Sequence, residues 1–145
     1  MYKILYSFRN IFLGKLFSVP QLWLFLQKFF NNSFLCSVIG IIHDDQNRIL
    51  LLNHPYRPVP LALPSGFIKK GETPLDALKR EVKEETNFDI MPVRTVKVIS
   101  SNSRSHLEFI VEAKYIDGIF IPSKEVDFYQ WTKETDISNY YDIIS

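Results

Sequence analysis

The segment from Gly66 to Phe88, GFIKKGETPLDALKREVKEETNF, constrains this chain more than any other, because its local signals specify one helix with two dissimilar faces. Thr73 is a good N-cap, Pro74 suits the first helical position and Asp76 stands three residues after the cap. The spacing predicts a helix from about Pro74 to Thr86. Asn87 tolerates the left-handed conformation that ends a helix. Leu75, Leu78 and Val82 then share a face suited to a core, while Glu81, Glu84 and Glu85, at i, i+3 and i+4, share an adjacent one.

Three carboxylates on one turn repel each other, which costs stability and raises their pKa values unless a cation sits among them. Oxygen-only ligands of this kind suit Mg²⁺ or Mn²⁺, hard cations that keep coordination sites for water and substrate phosphates. The plainer alternative is a solvated acidic face balanced by Lys79, Arg80 and Lys83, and three glutamates considered alone favour it.

They are not alone. Gly66, Glu72, Arg80, Glu81, Val82, Glu84, Glu85 and Phe88 together resemble the signature of the Nudix hydrolase family. That signature is a Gly, five residues, a Glu, seven residues, Arg-Glu, an apolar residue, any residue, Glu-Glu, any residue, Gly and an apolar residue. Asn87 stands where the family has Gly, and it is the next-best residue for a left-handed helix end, so a modest stability cost and no loss of chemistry are expected.

The resemblance implies an α/β chain with a Nudix fold, a mixed β-sheet sandwiched between helices, over about residues 34–145. It implies hydrolysis of a nucleoside diphosphate linked to another moiety. Glu81, Glu84 and Glu85 would ligate Mg²⁺, with Mn²⁺ as a substitute, helped by a backbone carbonyl near Ser65 or Gly66. Glu72 and Arg80 would pair to fix the loop against the helix and orient Glu81. A carboxylate must accept the proton of the attacking water. Glu81 is one candidate. Glu125 is another, since it lies six residues before Trp131 and is placed like a Glu that supplies a ligand or base in the mutator-type triphosphate enzymes of the family. A solvated loop glutamate accounts for Glu125 equally well.

Around this segment the pattern is β. FLCSVIGIIH and RILLLN read as strands about the polar DDQN turn, and further strands are expected within VRTVKVIS, HLEFIVEAKY and VDFYQWT. Asp117-Gly118 is expected to close the second of these. Pro55, Pro58, Pro60 and Pro64 make the intervening stretch an expected irregular loop, and ETDISNYYDIIS an expected C-terminal helix. The loop HPYRPVPLALPSG looks like the corresponding loop of enzymes acting on ADP-ribose and similar conjugates. Arg57 could clamp a phosphate in it and Tyr56 could stack on a base, with a proline-stiffened surface loop as the even alternative. His106 could reach the cleft from a strand, although a lone His is more often structural.

The N-terminal region differs in charge. Four of the 17 Lys and Arg precede Asp44 and none of the 16 Asp and Glu does, so residues 1–43 carry +4 and the remainder −3. Residues 1–32 read as an amphipathic helical hairpin added to a hydrolase domain at 33–145, with Ser18 and Pro20 between the helices. Lys15, Pro20, Gln21 and Lys28 interrupt every window long enough to span a membrane, and Pro20 together with the lack of a cleavage signal argues against secretion. The hairpin suits packing on the domain, a homodimer contact, or peripheral contact with an anionic membrane.

At 145 residues, 46% hydrophobic and 23% charged, the chain is not disordered, and Cys36 as its one cysteine excludes an intrachain disulfide or a Cys-built zinc site. A cytoplasmic or membrane-peripheral enzyme with a small nucleotide substrate is expected. The net acidic catalytic region gives little support for nucleic-acid binding, with a capped-RNA substrate left open by the resemblance. The leading reading is a Mg²⁺-dependent pyrophosphohydrolase of the ADP-ribose or nucleotide-sugar type. Its rivals are a triphosphate pyrophosphohydrolase and a non-catalytic nucleotide-binding module.

Overall fold

The computed structural model describes residues 34–58, 61–101 and 105–133. The N-terminal hairpin and the C-terminal helix expected above lie outside these residues. Seven strands form one mixed sheet: β1 (Leu35–His43), β2 (Ile49–Asn53), β3 (Leu61–Ala62), β4 (Ser65–Phe67), β5 (Asp89–Ser101), β6 (His106–Asp117) and β7 (Phe128–Thr132). One helix, α1 (Pro74–Thr86), is described between β4 and β5.

β1 is the organising strand. It runs parallel to β6, from Leu35 opposite His106 to His43 opposite Lys114. Its other side pairs antiparallel with β4 through Ser37–Phe67, Val38–Gly66 and Ile39–Ser65, and with β2 at His43–Ile49. The DDQN turn forms as the sequence predicts. Asp44 accepts from the Gln46 and Arg48 amides at 2.9 and 2.8 Å, and Asn47 takes a left-handed φ of 58°.

Side chains alternate across β1 and divide the core by face. Val38 and Ile42 meet Ala77, Leu78 and Val82 of α1 together with Leu52, Val111 and Val126. Ile41 and the partly buried Ile39 belong to a second cluster with Ile49, Leu63 and Ile110. Gly40 lies beneath the helix, and a Cβ there would stand 2.5 Å from a methyl of Leu78. Its missing side chain sets how closely α1 approaches the sheet.

Two expectations change. The proline-rich stretch contributes β3 and β4 in place of a purely irregular loop, because Leu61, Ala62 and the SGF triplet keep free amides for their ladders with β2 and β1. β5 extends ahead of VRTVKVIS to Asp89. Pro92 lies within it at a register shift on the sheet's edge strand, where a missing amide does least harm. Gly118, at φ 127°, ends β6, but the chain then crosses to β7, which pairs with β2. No helix among the described residues is long and apolar enough to cross a membrane.

Candidate functional site

α1 starts and stops where its sequence specifies. The Thr73 hydroxyl accepts from the Asp76 amide at 3.2 Å and the Asp76 carboxylate accepts from the Thr73 amide at 3.4 Å, a reciprocal cap. At the other end Asn87 adopts φ 63° and donates its amide to the Lys83 carbonyl. Its side chain does something glycine could not, donating to the Ile119 carbonyl at 3.1 Å. The Ile121 amide also bonds the Thr86 carbonyl, so the end of the helix holds the start of the segment leading to Glu125.

The loop before the helix is fixed by one guanidinium. Arg80 makes two bonds to Glu72, Nε to Oε1 at 2.6 Å and Nη2 to Oε2 at 2.9 Å, and Nη2 also donates to the Phe67 carbonyl at 2.9 Å. Glu72 accepts the Lys69 amide besides. These bonds, Arg80 first, hold its carboxyl down at about 2. The pair expected between Glu72 and Arg80 is therefore present. Arg80 Nη1 further contacts Glu81 Oε1 at 2.7 Å and Glu84 Oε2 at 3.2 Å, while Lys69 reaches Glu84 at 3.5 Å.

Gly66 leaves room for the Glu81 side chain. A Cβ at this position would overlap the Glu81 carboxyl group, so only glycine lets that side chain lie across β4. The register also discriminates between two carbonyls. The Gly40 amide bonds the Pro64 carbonyl and the Ile68 amide bonds the Cys36 carbonyl, which puts Gly66 and Val38 in the hydrogen-bonded pair between them. The Gly66 carbonyl thus serves the ladder, and the Ser65 carbonyl, at the alternate position, is turned away from β1. Of the two carbonyls considered from sequence, that of Ser65 lies outside the ladder with β1.

Glu81, Glu84 and Glu85 line a cleft of about 180 Å³ with Ser123, Lys124 and Glu125. The structure thus brings Glu125 to the helix. Glu85 is the anomaly, only 5% exposed and with its Oε2 lacking any hydrogen-bond partner. Burial pushes its pKa up to about 8, the charges of Glu81, Glu125 and Glu84 add to the rise, and Arg57 opposes it.

Among the described residues no three His, Cys, Asp or Glu side chains converge on one cation position. The reason is visible in the contacts: Glu81 and Glu84 turn toward Arg80, and Glu84 toward Lys69, leaving Glu85 alone in the interior. The donor set nevertheless fits a hard divalent cation. It is all oxygen, and its most buried member has an unpartnered atom that like charges surround.

Arg57 stands close enough to act on Glu85 electrostatically, and its Nη1 lies 3.4 Å from the Ser65 hydroxyl. Tyr56 beside it is 88% exposed, open to a planar ligand. His106 takes no part in the cleft, since its Nε2 is 2.9 Å from Ser37 Oγ on the neighbouring strand. Sequence reasoning passed over His54, Ser123 and Lys124. His54 is buried at the end of β2, where pairing with β7 brings it beside the Glu125 loop, and no local sequence signal carries that register.

Comparison with known proteins bears on family and fold. A family model described as the NUDIX domain matches residues 34–143. The human 8-oxo-dGDP phosphatase NUDT18 is 33% identical over 92 residues, which are 62% of this chain and 28% of that protein. An ADP-ribose pyrophosphatase of Methanocaldococcus jannaschii is 37% identical over 83 residues, 55% of this chain and 48% of that one. The chain thus spans between about a quarter and a half of the length of these curated relatives. An ADP-ribose pyrophosphatase structure from Streptococcus suis superposes with a TM-score of 0.63 at 20% identity, covering 72% of this chain and 78% of that chain, a likeness of fold.

Proposed function

The chain belongs to the NUDIX family, and on that premise we propose that it hydrolyses the diphosphate of a nucleoside diphosphate linked to another moiety, with Mg²⁺ or Mn²⁺ as its cofactor. One observation carries the reading: Glu85, buried, unpartnered and raised to about 8, lies in a cleft with Glu81, Glu84 and Glu125, where a cation would compensate its charge. The relatives named for 8-oxo-dGDP and ADP-ribose support the substrate class, since both names describe nucleoside diphosphates or their conjugates.

Glu81, Glu84 and Glu85, with the Ser65 carbonyl, would hold the cation, which when bound neutralises the diphosphate and makes the attacking water more acidic. Hydrolysis forms a P–O bond to the water oxygen and breaks the P–O bond to the departing phosphate. The water's proton passes to a carboxylate, for which Glu125 and Glu81 are the candidates in the cleft. Arg80 keeps Glu81 and the loop in register, and Arg57 supplies the charge that binds a phosphate at the cleft's rim. Tyr56, exposed beside it, is free to stack on the base.

A phosphate-release screen with Mg²⁺ and a coupled phosphatase, over ADP-ribose, nucleotide sugars, 8-oxo-dGDP and nucleoside triphosphates, tests this. Turnover is expected on a diphosphate substrate and its loss in Glu84→Gln. Turnover of triphosphates alone would move the assignment to the triphosphate class. No turnover by folded protein with either cation would leave a nucleotide-binding module. We propose that residues 1–32 are an amphipathic segment outside the hydrolase domain at 33–145, on the 3.6-residue spacing of their apolar side chains and their acid-free +4 charge. Equal liposome co-sedimentation of the full chain and residues 33–145 would remove a membrane role for them.

A further inference from the structure

Several features bear on a buried residue with no role so far. His54 is 2% exposed and its Nε2 has no hydrogen-bond partner. A buried polar atom left in this state calls for a reason. The residue lies immediately beyond β2, whose register sets Asn53 opposite Phe128, so one further step sets His54 opposite Asp127. Bonds on the neighbouring residue fasten this junction. The Asn53 side chain donates to Asp127 Oδ1 at 2.7 Å, and the Asp127 amide lies 3.4 Å from the Asn53 carbonyl.

His54 meets both parts of the candidate site that lie outside the Gly66–Phe88 segment. Its carbonyl accepts the Arg57 amide at 3.0 Å, closing the turn that aims Arg57. The carboxylates of Glu125 and Asp127 and the guanidinium of Arg57 are the charged groups around its ring. Burial first, and then Arg57, lower its pKa, so the ring packs there as neutral imidazole. The loop against it is itself shaped to present Glu125. Ser123 Oγ accepts from the Glu125 and Val126 amides at 3.2 and 3.0 Å, and Val126, 1% exposed, is seated in the core under α1. Asn87 and Thr86 hold the approach to that loop from the helix, which leaves its far side to Asn53 and His54.

We infer that His54 is a positioning residue for Glu125: its imidazole, set between the Arg57 turn and the 123–127 loop, holds the Glu125 carboxylate in the cleft beside Glu85. This rests on the proposed function only in giving Glu125 a task in the cleft. A ring with one donor nitrogen can fix the Glu125 backbone, whereas an aliphatic or phenyl side chain of similar volume fills the space without fixing it.

The test is a double-mutant cycle on the full chain, with His54→Phe and Glu125→Gln, read by kcat, by KM and, independently of turnover, by Mn²⁺ affinity from electron paramagnetic resonance. His54→Phe is expected to lower kcat about as much as Glu125→Gln, on the order of 100-fold, with KM changed less than about threefold. The double variant is expected to be no slower than Glu125→Gln alone, and Mn²⁺ affinity to show the same lack of additivity. Either His54→Asn or His54→Gln, each keeping an amide donor near the site of one ring nitrogen, is expected to restore most of the activity.

Losses that multiply in the double variant would overturn the inference, as would His54→Phe with wild-type kcat and Mn²⁺ affinity. If His54→Phe fails to fold, the Asn and Gln variants carry the test, and equal inactivity of both with native melting temperatures would overturn it. Glu84→Gln separates the two levels. Turnover lost in Glu84→Gln but intact in Glu125→Gln and His54→Phe sinks this inference alone. Turnover intact in Glu84→Gln removes the cleft glutamates from the reaction, and no turnover by the unaltered protein sinks the hydrolase reading.

Discussion

Glu85→Gln removes the charge that this fold accommodates worst in the absence of a metal. The native carboxyl titrates at about 8 against an ordinary value of 4.5, chiefly through burial and then through Glu81. The native state therefore binds a proton that the unfolded chain has already released. A group with its folded pKa above its unfolded one stabilises the native state below the unfolded value, and loses that contribution as pH rises toward the folded one. Each pH unit in that window corresponds to about 1.4 kcal/mol. Raising the pH from about 5 to about 8 should then take about 3 kcal/mol from the metal-free protein, or about 10 °C of Tm for a domain of this size.

Glutamine keeps the shape and carries no charge, so Glu85→Gln should lack this component. The assay is thermal melting of both proteins in EDTA across that pH range, read as the Tm of the variant minus that of the wild type. The difference should grow by about 10 °C with rising pH. His54 works in the opposite sense, since its lowered pKa gives stability above its ordinary 6.5 that is lost as pH falls, but it is common to both proteins and cancels. Adding Mg²⁺ at the upper pH should raise the Tm of the wild type and hardly that of the variant, the cation taking the place of the proton. A difference that stays constant with pH would refute the reasoning, because it would mean that Glu85 is ionised and compensated without a metal.

Gly66→Ala should displace the Glu81 carboxyl that now occupies the Cβ position, lowering kcat on the order of 100-fold and weakening Mn²⁺ binding. Steady-state kinetics beside a resonance titration checks both. Arg57→Ala should raise KM about tenfold with little change in kcat, as expected for a residue that binds phosphate in ground and transition states alike; kcat falling with KM unchanged would contradict that role. Asn87→Ala should destabilise the domain by about 2 kcal/mol. The left-handed φ of 63° and the lost bond to the Ile119 carbonyl each contribute about half, measurable by urea unfolding.

Much of the architecture was legible because its signals are local. The Thr73 cap, the Pro74 start and the left-handed Asn87 form as their spacing predicts, and the Asp44 turn closes the first hairpin. The strand through Pro92 was harder to see, since proline reads as a strand breaker and only the edge position and register shift of β5 make it harmless. Likewise Asn87 looked like a small loss against glycine, until the fold supplied the Ile119 carbonyl as a partner for its side chain.

The sequence by itself determined the helix, its two faces and the glutamate triplet, because each depends on spacings of a few residues, while the Glu72 to Arg80 pair was implied by the resemblance to the Nudix signature. The tertiary structure alone decided four other things. It buried Glu85 while leaving Glu84 exposed, set Glu81 over Gly66, turned the Ser65 carbonyl away from β1, and brought Glu125 to the helix and His54 to the loop that carries Glu125. The physical reason is the same in each case. Burial, ladder register and long-range charge are properties of neighbours that the fold assembles across many residues, and no periodicity along the chain encodes them.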